Sequence, residues 1–129
     1  MPRLLLVDDS PTQMLMLANS LMQQNYIVEF ENSGVAGLKR AIDNTFDLLI
    51  LDLNLPDISG LDICRYYKEL GHPAPVLLVT SEDQLNKIIN PQMSGPDYYC
   101  VKDKTAILNR VEIILLRQRR RQNLKALQY

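Results

Sequence analysis

Five residues of this chain have reactive side chains, and each of them lies at the end of an apolar run. They are Asp8, Asp9, Asp52, Thr80 and Lys102. A carboxylate can attack phosphorus as a nucleophile, while an ammonium and a hydroxyl group offset negative charge on phosphoryl oxygens. The set therefore suits transfer of a phosphoryl group to an aspartate.

The three aspartates also indicate a metal ion. Carboxylates that meet at one edge of a sheet repel one another and raise each other's pKa unless a cation lies among them. Hard oxygen ligands of this kind suit Mg²⁺. We therefore expect Mg²⁺ as the cofactor, held near Asp8, Asp9 and Asp52.

Short apolar runs and helical segments alternate along the chain. The runs cover residues 4–7, 26–30, 48–51, 76–79 and 98–101. Each is short enough for a strand, and apolar residues between them recur at helical spacing. Runs that are almost wholly apolar are typical of parallel strands buried on both faces. The pattern predicts a doubly wound α/β domain with five parallel strands and helices on both faces of the sheet.

Several helix starts carry recognisable signals. Ser10, Pro11 and Gln13 have the pattern of a capping box with proline in the first turn, and Ser81 with Gln84 repeats the pattern. Pro91 falls in the expected fourth helix and should break or kink it near Asn90.

Composition sets limits on the class of protein. The chain has 129 residues, 47% of them hydrophobic and 22% charged, with a formal net charge of -1. These values predict one globular domain and no general attraction to nucleic acid or anionic membrane.

No apolar run reaches the ~20 residues of a membrane span, and the amino terminus does not resemble a signal peptide. Cys64 and Cys100 are expected to be reduced, partly buried packing residues, and we expect a cytoplasmic protein.

The ordered motifs VDDSP, LLILDLNLPDISG, LLVTSED and DYYCVK closely resemble those of response regulator receiver domains of the chemotaxis-regulator type. The resemblance runs from Arg3 to about Leu116 and includes Pro56 and Gly60. It implies a two-component signalling protein with sheet order 2-1-3-4-5, in which a histidine kinase donates a phosphoryl group to Asp52.

The resemblance also assigns roles at the metal site. It implies that Asp9 and Asp52 bind Mg²⁺ directly, that Asp8 acts largely through water, and that the backbone carbonyl of Asn54 is a further ligand. Lys102 would pair with Asp52 or with a phosphoryl oxygen.

The switch residues follow from the same resemblance. Thr80 would turn to hydrogen-bond the phosphoryl group, and Tyr99 would swing inward as Thr80 moves. Tyr98 would be a packing residue. Asn54 and Glu82 would border the approach of water to the acyl phosphate. Because both are polar, as in receivers with short-lived phosphorylation, we expect rapid self-hydrolysis.

The chain departs from the family pattern at the residue after the lysine. Most receivers have proline there, usually after a cis peptide, but here Asp103 follows Lys102. A cis bond before a non-proline residue costs ~3 kcal/mol, so we expect a trans peptide or an altered loop.

The expected domain organisation is a receiver over residues 1–118, followed at 119–129 by a basic helical extension or the start of a linker to an output module. Too few residues follow Lys102 for both a fifth helix and a helix-turn-helix domain, so direct DNA binding is not expected. The output partner is unknown from the sequence, which also allows homodimerisation through the fourth helix, fifth strand and fifth helix.

Two other functions share parts of this residue pattern. A pseudo-receiver would keep the fold as an interaction module without being phosphorylated, and the intact Asp9, Asp52, Thr80 and Lys102 argue against it. A phosphatase of the haloacid dehalogenase type also combines an aspartate nucleophile with Mg²⁺. There the nucleophile normally comes first in an Asp-x-Asp motif, whereas here Asn54 lies two residues after Asp52 and there is no room for a cap domain. We therefore expect a signalling phosphoacceptor rather than an enzyme.

Overall fold

Five strands alternate with five helices in the computed structural model, which describes residues 1–88 and 95–127. The strands are β1 (Arg3–Val7), β2 (Ile27–Glu31), β3 (Leu48–Asp52), β4 (Val76–Thr80) and β5 (Tyr98–Val101). The helices are α1 (Pro11–Gln23), α2 (Gly34–Asp43), α3 (Gly60–Glu69), α4 (Glu82–Ile88) and α5 (Lys104–Ala126). All five predicted strands are present, with bounds shifted by no more than one residue.

The strands form one parallel sheet in the order β2-β1-β3-β4-β5, which confirms the predicted fold. The order changes direction at β1, so the carboxyl ends of β1 and β3 lie side by side at the point where ligands bind in folds of this kind. Apolar side chains of the central strands alternate between the two faces of the sheet.

Each face of the sheet is covered by its own helices. Buried side chains of α1 and α5, such as Leu21 and Ile114, pack on one face with Leu4 and Ile50. On the other face, α2 and α3 pack against neighbouring residues of the same strands, including Leu49. Because β3 and β4 are buried on both sides, their ends are held firmly in place.

The helix starts show where the capping predictions hold. Ser10 is the N-cap residue of α1 and Pro11 is the first helical residue, as predicted, but the Ser10 side chain makes no cap hydrogen bond. The Ser10 backbone N–H donates to Asp8 Oδ1 at 2.9 Å instead. The predicted capping box is therefore wrong, because Asp8 rather than Gln13 accepts the Ser10 N–H.

Gly60, the first residue of α3, lies very close to the end of β3. A Cβ atom there would lie 2.4 Å from the backbone carbonyl oxygen of Asp52 and 2.8 Å from Leu78 Cδ1. The Gly60 N–H also donates to the carbonyl of Leu53 at 2.9 Å. Glycine therefore allows α3 to begin directly against the end of β3.

Helix α5 is the longest element and continues from Lys104 to Ala126. Its last buried side chain is Ile114, and the side chains of residues 119–127 are exposed. No helix within 1–88 and 95–127 is long and apolar enough to cross a membrane. The predicted helix break at Asn90 and Pro91 falls outside the described residues.

Cys64 and Cys100 are buried and free, as predicted, although their burial is more complete than expected. Burial raises the pKa of the Cys64 thiol to about 11, well above its ordinary value. Both residues belong to the packed core, on opposite faces of the sheet.

Candidate phosphoacceptor site

The parallel register brings the predicted site residues together at one edge of the sheet. Val7 is paired with Leu51, so Asp8, which directly follows β1, lies beside Asp52, the last residue of β3. Asp52 is paired with Val79, and Thr80 with Val101. Lys102 follows directly, and its backbone N–H donates to the carbonyl of Thr80 at 2.7 Å. The sheet thus gathers residues that are far apart in the sequence.

Asp52 and Lys102 form the central ion pair of this edge. The Lys102 ammonium donates to Asp52 Oδ2 at 2.7 Å and lies 3.5 Å from Asp8 Oδ1. The exposed fraction of both aspartates is only 6%. A buried carboxylate needs a charged or hydrogen-bonded partner to stay ionised, and the lysine provides it here.

Burial shifts the pKa values of Asp52 and Lys102 in opposite directions. It raises the pKa of the Asp52 carboxyl, and the Asp8 charge adds to this, while the Lys102 hydrogen bond and charge and the Asn54 N–H act in the other direction. For Lys102, burial alone would lower the pKa of the ammonium. Its hydrogen bond to Asp52 and the charges of Asp52 and Asp8 outweigh that effect and raise the pKa above the ordinary value.

The three aspartates can hold a metal ion. Asp8, Asp9 and Asp52 each offer a carboxylate oxygen, and these oxygens lie within 4.8 Å of one another. Asp9 is exposed and leaves the site open to solvent. An all-oxygen donor set with room for water is what Mg²⁺ prefers, so the residues present fit this ion. The roles of the Asn54 carbonyl and of water beside Asp8 stay predictions.

Thr80 is buried, with 1% of its surface exposed, and its hydroxyl is already engaged. It donates to the side-chain oxygen of Gln84 at 2.7 Å. The Asn54 side-chain amide donates to the same Gln84 oxygen at 2.6 Å. Sequence reasoning treated Gln84 only as a helix cap and missed this contact, although its position four residues after Thr80 could have pointed to it.

The remaining predicted residues surround this centre. Tyr99 is half-buried on the face of α2 and α3, and burial raises the pKa of its hydroxyl. Tyr98 packs on the face of α1 and α5, with the Arg117 guanidinium 6.0 Å from its ring centre. Glu82 is exposed at the start of α4. The predicted packing position of Tyr98 agrees with its surroundings, while the movements of Tyr99 and Thr80 stay predictions.

The loop after Lys102 differs from the family pattern as expected. The structure has no cis peptide bond within the residues that it describes, so the Lys102–Asp103 bond is trans. Asp103 is the N-cap of α5, and its carboxylate accepts the Ala106 N–H at 3.0 Å. Where most receivers have proline, this chain has a residue that starts the next helix.

Asp57 fastens the loop after Asp52 to a neighbouring helix. Its two carboxylate oxygens accept the N–H groups of Gly34 at 2.8 Å and Val35 at 2.9 Å, at the start of α2. The Val35 hydrogen bond, followed by that of Gly34, holds the pKa of the Asp57 carboxyl below its ordinary value of 3.8 despite partial desolvation. This clamp joins the loop that carries Asn54 to the start of α2.

A parallel sheet in this order, with a cluster of three aspartates beside its switch point, defines a flavodoxin-like α/β domain with an acidic site at the carboxyl ends of its strands. The comparison with known families gives the particular family. The model of the response regulator receiver domain matches residues 4–112, and the chain belongs to that family.

Curated relatives agree with this assignment. The response regulator ArlR of Staphylococcus saprophyticus is 34% identical over 120 residues, which cover 92% of this chain and 54% of that protein. The ArlR of Staphylococcus epidermidis is 35% identical with the same coverage. The chain therefore spans about half the length of these curated relatives.

Solved structures show the same fold. The response regulator TrrA of Thermotoga maritima, solved in complex with Mg²⁺ and BeF, has a TM-score of 0.72 at 29% identity and covers 80% of this chain and 88% of its own. A CheY-like receiver domain of Methanospirillum hungatei has a TM-score of 0.83 at 24% identity, over 94% of this chain and 98% of its own. The predicted resemblance to receiver domains is confirmed.

The Asp57 clamp predicts a specific pH dependence. Because its folded pKa is lowered, the stability that Asp57 contributes is present above the unfolded value and is lost as the pH falls through the folded value. Asp57→Asn should unfold more easily than wild type at neutral pH, and the difference should shrink below a pH of about 4. Urea unfolding across this pH range measures the difference in the free energy of unfolding between the two proteins.

Asp43→Asn, at the exposed end of the same helix, is the matched control. It should not reproduce the acid-dependent difference. A difference between wild type and Asp57→Asn that stays constant from neutral pH to a pH of about 3 would contradict the clamp.

Proposed function

We propose that Asp52 accepts a phosphoryl group from the phosphohistidine of a sensor histidine kinase, with Mg²⁺, and that the phosphorylated domain then controls an output partner. The observation that carries this proposal is the buried Asp52 carboxylate, 2.7 Å from the Lys102 ammonium and close to two further carboxylates. The relatives named as response regulators support it.

Asp8, Asp9, Asp52 and the Asn54 carbonyl would hold Mg²⁺, which when bound neutralises charge on the carboxylates and on the phosphoryl oxygens. The Asp52 carboxylate then approaches phosphorus as the nucleophile. An oxygen–phosphorus bond forms while the phosphorus–nitrogen bond of the donor breaks, and its electron pair stays on the imidazole. Lys102 pairs with a phosphoryl oxygen and offsets its charge.

The phosphoryl group would then shift a conformational equilibrium. Thr80 turns to donate its hydroxyl to a phosphoryl oxygen, and Tyr99 moves inward as Thr80 leaves its present position. A ligand can shift such an equilibrium only by its differential interaction with the two states, and the new Thr80 hydrogen bond supplies that difference. The surface of α4, β5 and α5 reports the change and provides the face for an output partner or a second copy of the chain.

We also propose that residues 1–118 are the receiver and that 119–129 form a basic extension or the start of a linker to an output module. The exposed side chains of 119–127 and the end of the family match at residue 112 support this boundary. The chain acts as a signalling phosphoacceptor that catalyses only its own phosphotransfer and dephosphorylation, with no direct contact to nucleic acid. We place it in the cytoplasm, where free buried thiols such as Cys64 are usual.

Phosphorylation by a small donor tests the proposal. After incubation with acetyl phosphate and Mg²⁺, intact-protein mass spectrometry should show one phosphoryl adduct on wild type and none on Asp52→Asn. The adduct should be lost when EDTA replaces Mg²⁺, because the carboxylates then repel the incoming phosphoryl group. Asp43→Asn, which changes an exposed aspartate at the last residue of α2, should be labelled like wild type.

An unlabelled wild type, with beryllofluoride binding also absent, would favour the pseudo-receiver. An adduct that persists in Asp52→Asn would instead place the acceptor elsewhere. Multiple turnover of small phosphate esters would favour the phosphatase.

The lifetime of the adduct is a separate prediction. Asn54 and Glu82 are polar and exposed to solvent, so water can approach the acyl phosphate beside them. After removal of the donor, the adduct should decay quickly in Mg²⁺, and replacement of both residues by bulky apolar side chains should slow the decay. Time-resolved mass spectrometry measures both rates. A wild-type adduct that lasts many hours in Mg²⁺ would contradict this prediction.

A further inference from the structure

Gln84 joins two parts of the site through one oxygen atom. Its side-chain Oε1 accepts the hydroxyl of Thr80 at 2.7 Å and the side-chain amide of Asn54 at 2.6 Å. Thr80 ends β4, while Asn54 lies in the loop after β3. The two hydrogen bonds therefore tie α4 to both sides of the Asp52 position.

The backbone holds Gln84 in this place. Its N–H is 3.4 Å from the Ser81 hydroxyl oxygen, and the Leu85 N–H donates to the Ser81 carbonyl at 2.9 Å. These contacts define the first turn of α4. The side chain at position 84, four residues after Thr80, is then within reach of its hydroxyl.

The contact with Thr80 competes with the contact that phosphorylation requires. A hydroxyl group has one proton to donate, and that of Thr80 is directed to Gln84. Donation to a phosphoryl oxygen requires this hydrogen bond to break. Because Thr80 is almost fully buried, bulk water cannot easily replace the lost acceptor during the change.

We propose that Gln84 is an off-state latch, a positioning residue that holds the Thr80 hydroxyl away from the phosphoryl site until Asp52 is modified. This inference rests on the proposed function. An interaction present only in the unmodified state lowers the population of the competent state, and the apparent affinity for any phosphoryl mimic falls by the same factor. Asn54 strengthens the latch because its amide keeps the Gln84 oxygen in place from the other side.

The proposal predicts the effect of removing the acceptor oxygen. Gln84→Met keeps a side chain of similar length without a comparable acceptor, so Thr80 should be freed. The apparent dissociation constant for beryllofluoride in excess Mg²⁺ should fall roughly two- to tenfold, the range expected for one net hydrogen bond. The chain has no tryptophan whose fluorescence could report binding, so the dissociation constant is measured from amide chemical shifts in an NMR titration.

Two further variants separate a latch from a general structural effect. Gln84→Glu keeps an acceptor oxygen and should bind beryllofluoride no more tightly than wild type. In a Thr80→Val background, which lacks the hydroxyl, Gln84→Met should cause no tightening, because the latch acts through that group. Asp83→Ala, an exposed neighbour on α4, should match wild type. Thermal unfolding establishes that each variant is folded.

The possible outcomes are distinct. Tighter binding by Gln84→Met alone, absent in the Thr80→Val background, supports the latch. Unchanged affinity in Gln84→Met, or tightening that persists without the Thr80 hydroxyl, overturns it while leaving the proposed function intact. If wild type is neither labelled by acetyl phosphate nor bound by beryllofluoride, the proposed function fails and the latch fails with it.

Discussion

The constraint on which the site depends is the repulsion among three carboxylates that the sheet brings to one edge. Asp8 and Asp52 are almost fully buried, so solvent screens their charges poorly. Lys102 offsets part of this charge through its contacts with both. Three carboxylates against one ammonium leave an excess of negative charge. This excess favours a divalent cation and explains why acceptance of an anionic phosphoryl group should require one.

The rest of the fold holds these charged side chains in fixed positions relative to one another. Strands buried on both faces fix the ends of β3 and β4, and Gly60 lets α3 start against the Asp52 carbonyl. Asp57 then fastens the loop after Asp52 to the start of α2, while Gln84 joins the same loop to Thr80. The loop that follows Asp52 therefore contacts both α2 and α4 directly. A conformational change at Asp52 could reach these helices without passing through other residues.

Much of this could be predicted from sequence because it depends on local or periodic signals. Apolar runs located the strands, and the polar residues at their ends located Asp52, Thr80 and Lys102 at one edge. The contacts of Asp57 with α2 could not be predicted in this way, because they join a loop residue to helix residues 22 and 23 positions away without any periodicity. The Ser10 capping box failed for a related reason. The pattern identified the correct N-cap but could not show that Asp8 competes for the backbone donor.

The most direct test of the account is a crystal structure of the protein with Mg²⁺ and beryllofluoride. The account predicts beryllium bonded to the Asp52 carboxylate, Mg²⁺ bound by Asp9 and Asp52, and Lys102 paired with a fluorine atom. Thr80 would have left Gln84 to donate to another fluorine. Beryllofluoride bound away from Asp52, or a metal ion held without the aspartates, would contradict it.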